Sequence, residues 1–160
     1  MYSMTDVLGA LLIGLIVGAL TFSAISSGFM KSKIGSTEQD LVILRMQVQQ
    51  LFANSNGYTG LDNAGAIQNG LVPKSLIKGD DIRSAWGGPI TISANAANSS
   101  FAIDLEELPH EACVQLSRFQ PDAWFNVEVN GSTVDSSRAV LDITSSCFAG
   151  NTNQIVFEAR

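Results

Sequence analysis

The chain reads as an α+β protein: one long N-terminal helix followed by a small head of short strands and helices. Three observations carry that reading. Residues 7–25 (VLGALLIGLIVGALTFSAI) contain no charged side chain. Beyond them Leu41, Leu44, Val48 and Leu51 recur at steps of three, four and three, which is one apolar stripe of a helix. After residue 53 the pattern changes to short alternating segments separated by Gly, Asn and Asp, as strands and turns require. A long helix, a loop, a hairpin, a further helix and more strands make an α+β head on a helical stalk.

The helix is expected over residues 1–53, with an apolar half in 1–28 that protrudes and an amphipathic half that packs on the head. Nineteen uncharged residues at about 1.5 Å each reach roughly 28 Å, close to the hydrocarbon thickness of a bilayer. Three roles compete for this segment: a cleaved signal peptide, a single-pass anchor, or a helix held first in membrane and later packed against copies of itself. Residues 1–6 hold no Lys or Arg, and the run outlasts a usual signal core. Gly9, Gly14 and Gly18 punctuate the run, and Gly14 and Gly18 have the GxxxG spacing that lets helix backbones approach closely, a weak motif taken alone. Asp6 is the only charged side chain in the first thirty residues. A carboxylate at a membrane boundary is costly without a cation, and a nearby free α-amino group is the natural one; the plainer alternative leaves Asp6 in the headgroup region. Lys31 and Lys33 follow the segment, which by the positive-inside rule places the head in the cytoplasm. The cysteines argue for the other side, and a basic leader removed before this chain begins reconciles the two.

Further along, Gly28 and Gly35 weaken the helix locally, and Ser36-Thr37-Glu38-Gln39 fits a capping box that restarts or reinforces it. Residues 58–88 are Gly/Asn/Asp-rich and read as an ordered connection with a short helical turn near 64–69. Residues 89–93 (PITIS) and 101–105 (FAIDL) alternate as half-buried strands do. Pro109 suits a helix N1 position, after which Ala112, Leu116 and Phe119 share a face beside Cys113. Residues 124–129 (WFNVEV) read as a strand ending in the turn signal Asn130-Gly131. Residues 138–147 suggest a short helix delivering Cys147, and 154–159 (QIVFEA) a terminal strand.

The charge is uneven. Through residue 53, Lys31, Lys33 and Arg45 balance Asp6, Glu38 and Asp40, so the six basic and twelve acidic residues of the head (54–160) account for the whole net charge of −6. Such a head lacks the Lys/Arg clusters that neutralise phosphates, so no nucleic-acid partner is expected. Cys113 and Cys147, the two cysteines, have no CxxC spacing. Beside an N-terminal membrane helix they point to one disulfide in an oxidising compartment; two buried free thiols in a cytosolic domain are the alternative. No catalytic residue, metal site or cofactor is expected. His110 is the only histidine and lacks the second His of a zinc-binding HExxH helix. There is no GxSxG elbow, P-loop or dinucleotide fingerprint. Asp80-Asp81 offers too thin a ligand set for Ca²⁺. Asn98-Ser99-Ser100 and Asn130-Gly131-Ser132 match the glycosylation acceptor pattern but fit turns better.

Taken together, these passages resemble a type IV pilin, more narrowly the type IVb group with the bundle-forming and PilS-type pilins. They are the acidic residue at the head of an apolar run extending into the 41–51 stripe, Gly57-Tyr58-Thr59-Gly60-Leu61 just after the helix, Ala112-Cys113-Val114-Gln115-Leu116, and Cys147 before a final strand. The resemblance implies an antiparallel sheet behind the helix and one C-terminal disulfide, Cys113 to Cys147, framing a surface-exposed region 113–147. It implies a subunit of an extracellular pilus for adhesion, aggregation or conjugative mating contact, held in the inner membrane before assembly. Its partners would be copies of itself, a prepilin peptidase with the inner-membrane assembly platform, and a host- or recipient-cell surface. Asp6 would pair with the α-amino group of a neighbouring subunit. The family usually carries Glu at the fifth mature position, which Asp6 occupies if Tyr2 starts the mature chain, so Met1 or Tyr2 is the expected site of N-terminal methylation. The N-terminal helix lacks Pro, leaving Gly14 and Gly18 as the places for local unwinding. A minor pilin or secretion pseudopilin is the nearest alternative, and a membrane-anchored periplasmic binding or adhesion domain is the alternative from another class.

Overall fold

The computed structural model describes the backbone of residues 4–97, 99–135 and 139–160, and the side chains among these from residue 27 onward except at 139. The chain divides into two units, Met1–Lys33 and Ile34–Arg160. Helix α1 spans Met4–Phe52 and meets the expected end at residue 53 within a position. Gly28 and Gly35 lie inside it without stopping it. The Ser36–Gln39 tetrad lies inside the continuous helix rather than at a new start, and the buried stripe runs through it: Ile34 and Thr37 precede Leu41, Leu44 and Val48, all at most 6 % exposed. Leu51, the expected last member of the stripe, is 47 % exposed. The chain turns off there, and Phe52 packs its ring on Tyr58 instead, with centroids 5.4 Å apart.

The connection 58–88 is more structured than its composition suggests. Helix α2 (Asn63–Gln68) starts at Asp62, whose carboxylate accepts from the Gly65 amide at 2.7 Å, an N-cap. A 3₁₀ turn (Lys74–Leu76) leads into a small hairpin of β1 (Ile77–Lys78) and β2 (Asp81–Ile82). Strands of two residues are too short to show alternation, so the sequence does not announce them. Gly79 and Asp80 make the hairpin's turn, and Asp81 at the start of β2 is bonded to Arg83 at 3.0 Å.

The head is built on five antiparallel strands: β3 (Ile90–Ala94), β4 (Phe101–Leu108), β5 (Asn126–Val129), β6 (Ser132–Thr133) and β7 (Asn153–Ala159), in the order β3-β4-β7-β5-β6. β7 is therefore central. Alternate residues Phe101, Ile103 and Leu105 on β4, Val127 and Val129 on β5, and Ile155 and Phe157 on β7 are buried. This inner face and the α1 stripe make the core, and Tyr58 bridges to it against Phe101 at 4.8 Å. β4 slips register between Leu105 and Leu108, where Glu107 takes φ 55°. Gly88 is required opposite the slip: a Cβ there would lie 2.1 Å from the Glu106 carbonyl.

Helix α3 (His110–Ser117) buries Ala112, Cys113 and Leu116 as the spacing predicts, and His110 is exposed. Pro109 sits at the N-cap rather than N1, one position further out. A 3₁₀ turn at Pro121–Ala123 takes Trp124 out of the strand expected over 124–129, so β5 begins at Asn126. Asn130 and Gly131 make the expected tight turn with φ 50° and 80°. Helix α4 (Ala139–Ser146) delivers Cys147.

Candidate functional site

The N-terminal candidates divide between the described and undescribed parts of the chain. Gly9, Gly14 and Gly18 lie within helical α1. Asp6 is helical in backbone, its side chain outside the described residues, as are Met1 and Tyr2 entirely. Among the described residues no helix is long and apolar enough to cross a membrane; the side chains of residues 7–25 are not among them.

The amphipathic half of α1 is tied to the head by polar bonds as well as by its stripe. Arg45 Nη1 donates to the Ala123 carbonyl at 2.6 Å while its guanidinium stacks 4.8 Å over the Trp124 ring. Trp124 in turn packs its ring at a tilt against Phe157 of β7, centroids 4.8 Å apart. Gln49 Nε2 donates to the Arg160 carbonyl at 2.6 Å, and Asp40 accepts from Ser75 at 2.7 Å. These contacts fix the helix across the sheet in one register.

The cysteines meet in a disulfide from α3 to the end of α4, Cα atoms 5.9 Å apart. Around it lies a polar clamp that sequence reasoning does not find. Asn153, fully buried at the start of β7, accepts at Oδ1 from the Phe148 amide (2.7 Å) and from Asn130 Nδ2 (2.9 Å). Its Nδ2 donates to the Leu108 and Phe148 carbonyls at 3.1 and 2.9 Å. Asn130 donates to the Ser146 carbonyl at 2.6 Å and accepts from the Gln154 amide at 2.8 Å. Thus Ser146, Cys147 and Phe148 are each held, by an asparagine, a sulfur and an asparagine. The one available signal was an Asn opening an otherwise alternating apolar strand.

The surface beside the clamp is apolar in places: Val140, Leu141 and Phe148 are 60 %, 69 % and 56 % exposed. On α1, Ile43 and Met46 are exposed too. Ile43 lines a groove of about 610 Å³ with Gly35, Glu38, Gln39, Val42, Phe119 and Gln120, and burial there pushes the Glu38 carboxyl above its ordinary range. On the solvent side of the sheet, Asp104 accepts from Gln154 Nε2 at 2.7 Å. Burial raises its pKa, Glu106 adds to the rise, and the Gln154 bond opposes it. Among the described residues no three His, Cys, Asp or Glu side chains converge on a metal-sized site.

This architecture matches solved pilins. The type IV b pilin from Salmonella typhi aligns with a TM-score of 0.64 at 23 % identity, over 77 % of this chain and 97 % of that one. TcpA, a type IV pilin from Vibrio cholerae El Tor biotype, aligns at 0.60 and 16 % identity, over 81 % and 99 %. The NMR structure of the type IVb pilin PilS from Salmonella typhi gives 0.54 at 23 %, over 78 % and 94 %. No curated protein sequence matches the chain. The family described as PilS N terminal matches residues 31–160. With that match over the amphipathic helix and the whole head, and with the disulfide joining α3 to α4, the chain belongs to the PilS family and has the type IVb pilin fold.

Proposed function

We propose that the chain is a structural subunit of a bacterial type IV pilus, polymerising through its N-terminal helix into an extracellular filament. The observation that carries this is the union of a PilS-family head with an uncharged, glycine-punctuated helical segment over residues 7–25. Apolar helices with small residues at four-residue spacing favour packing against copies of themselves. In this reading the segment holds the subunit in the inner membrane first. A prepilin peptidase and the assembly platform then process it and pass it to the filament, with methylation of the mature start at Met1 or Tyr2. Asp6 pairs with the α-amino group of a neighbour, Gly9, Gly14 and Gly18 shape the helical core, and the disulfide-bounded region 113–147 faces outward toward host or recipient cells. Adhesion, aggregation and mating contact are the uses this surface fits.

Electron microscopy of cells with and without the gene tests the proposal: filaments should be present in the first and absent in the second. Unchanged filaments in the deletion refute it, and a few copies per purified filament would make the chain a minor pilin. Asp6→Ala should abolish assembly; if cell-surface function persisted with Asp6→Ala, the chain would be an anchored binding domain instead. Intact mass of the mature protein identifies the start residue, any added methyl group and the disulfide.

A further inference from the structure

The chain contains three Asn-Gly pairs, Asn56-Gly57, Asn69-Gly70 and Asn130-Gly131. This dipeptide is the most prone to self-modification, because glycine has no Cβ to hinder its backbone nitrogen from reaching the preceding side-chain amide. The fold treats the three differently. Asn56 is exposed, and no side-chain hydrogen bond is seen for it among the described residues. Asn69, also exposed, donates one bond, to the Gly65 carbonyl at 2.8 Å. Asn130 makes three, with Ser146, Asn153 and Gln154, at 2.6, 2.9 and 2.8 Å.

We propose that Asn130-Gly131 is a latent deamidation site, held closed by the clamp around Cys147 and released when the Cys113–Cys147 bond is reduced, whereas Asn56-Gly57 stands open throughout. The Gly131 nitrogen attacks Asn130 Cγ and loses its proton, the new C–N bond closes a five-membered imide, and the side-chain nitrogen leaves as ammonia. Water opens the imide at either carbonyl, giving aspartate or isoaspartate. The net change is amide plus water to carboxylate plus ammonium. For Cγ to turn toward Gly131, all three of its side-chain bonds must break. Two of them reach Ser146 and Asn153, and Asn153 also grips Phe148, so the residues flanking Cys147 hold the amide in place. A thiol reductant, itself oxidised to a disulfide, frees Cys147 and loosens that grip. Loss of ammonia makes the step irreversible, and because a carboxylate at 130 faces the Ser146 carbonyl and Asn153 Oδ1, both acceptors, the clamp does not re-form.

The test is a time course of the full chain at mildly alkaline pH, with and without thiol reductant, with site-resolved deamidation read by peptide mass spectrometry. In the oxidised protein Asn130 should react at least about tenfold more slowly than Asn56, since three hydrogen bonds must open first. Reduction should speed Asn130 several-fold and leave Asn69, remote in sequence and bonded to Gly65 at the C-terminal end of α2, at its former rate. Equal rates at Asn130 and Asn56 in the oxidised protein overturn the proposal, as does no acceleration at Asn130 on reduction. Acceleration of Asn130 and Asn69 together shows general unfolding and overturns it too. Asn153→Ala in the oxidised protein should release Asn130 without any reductant; if that variant does not fold, the reduction experiment decides alone.

Discussion

Replacing Asn153 tests the clamp as a stabilising unit. Its side chain is fully buried and makes four hydrogen bonds, with Asn130, Leu108 and both backbone groups of Phe148. Asn153→Ala removes these four bonds and strands buried partners. At about 1 kcal/mol net per bond, with some stranded groups costing more, the loss should be about 4 kcal/mol. Of a total stability of roughly 5–15 kcal/mol, that is a large share. Asn153→Asp is the sharper variant, being nearly the same shape. It retains acceptors for Phe148 N and Asn130 Nδ2 but sets an oxygen against the Leu108 and Phe148 carbonyls. The ionised form is then disfavoured in the fold, so its folded pKa lies above its unfolded one. Stability of this variant should fall as pH rises from the unfolded value, roughly 3.9, through the folded one. Urea unfolding of the full chain in detergent, followed by tryptophan fluorescence, measures both. A cost below about 1 kcal/mol for Asn153→Ala, or a pH-independent Asn153→Asp, refutes the reasoning.

The native carboxylate Asp104 obeys the same sign rule. Its raised pKa means that ionisation costs stability as pH climbs through the acid range, so Asp104→Asn should flatten the pH profile and stabilise at neutral pH; a variant less stable at neutral pH contradicts this. Cys113→Ser with Cys147→Ser removes a bridge across 34 residues and should cost roughly 3–4 kcal/mol by loop entropy, read by thermal unfolding against the oxidised parent. Asn63 donates to the Ile90 carbonyl at 2.8 Å and accepts from the Ile92 amide at 2.7 Å, acting as a one-residue strand along the open edge of β3. Asn63→Ala should cost about 1–2 kcal/mol and raise light scattering at high concentration as the bared edge pairs between molecules; an unchanged scattering curve would exclude this role.

What was legible in the sequence follows how locally each feature is determined. The end of α1, the Asn130-Gly131 turn and the burial of Ala112, Cys113 and Leu116 depend on neighbours within a few residues, so periodicity and turn chemistry reveal them. Strands β3, β4 and β7 were placed by alternation, although β4 continues to Leu108 through a register slip that alternation does not foresee. The β1–β2 hairpin is too short to carry a period. Leu51 was assigned to the buried stripe because the helical period puts it there, and only the turn after Phe52 removes it. Asn153 was invisible as a clamp because its partners lie between 5 and 45 residues away and are mostly backbone groups. A composition-based reading has no purchase on them.

β7 lies at the middle of the sheet, yet follows every other strand among the described residues. β4 and β5 therefore have no common partner until residues 153–159 have left the ribosome, and the α1 stripe has only half a surface to settle on. Completion of this sheet waits on β7, the last of its strands in chain order. A chain interrupted between residues 134 and 152 leaves bare the edges of β4 and β5 that β7 pairs, together with an open apolar face, a template for association with other chains.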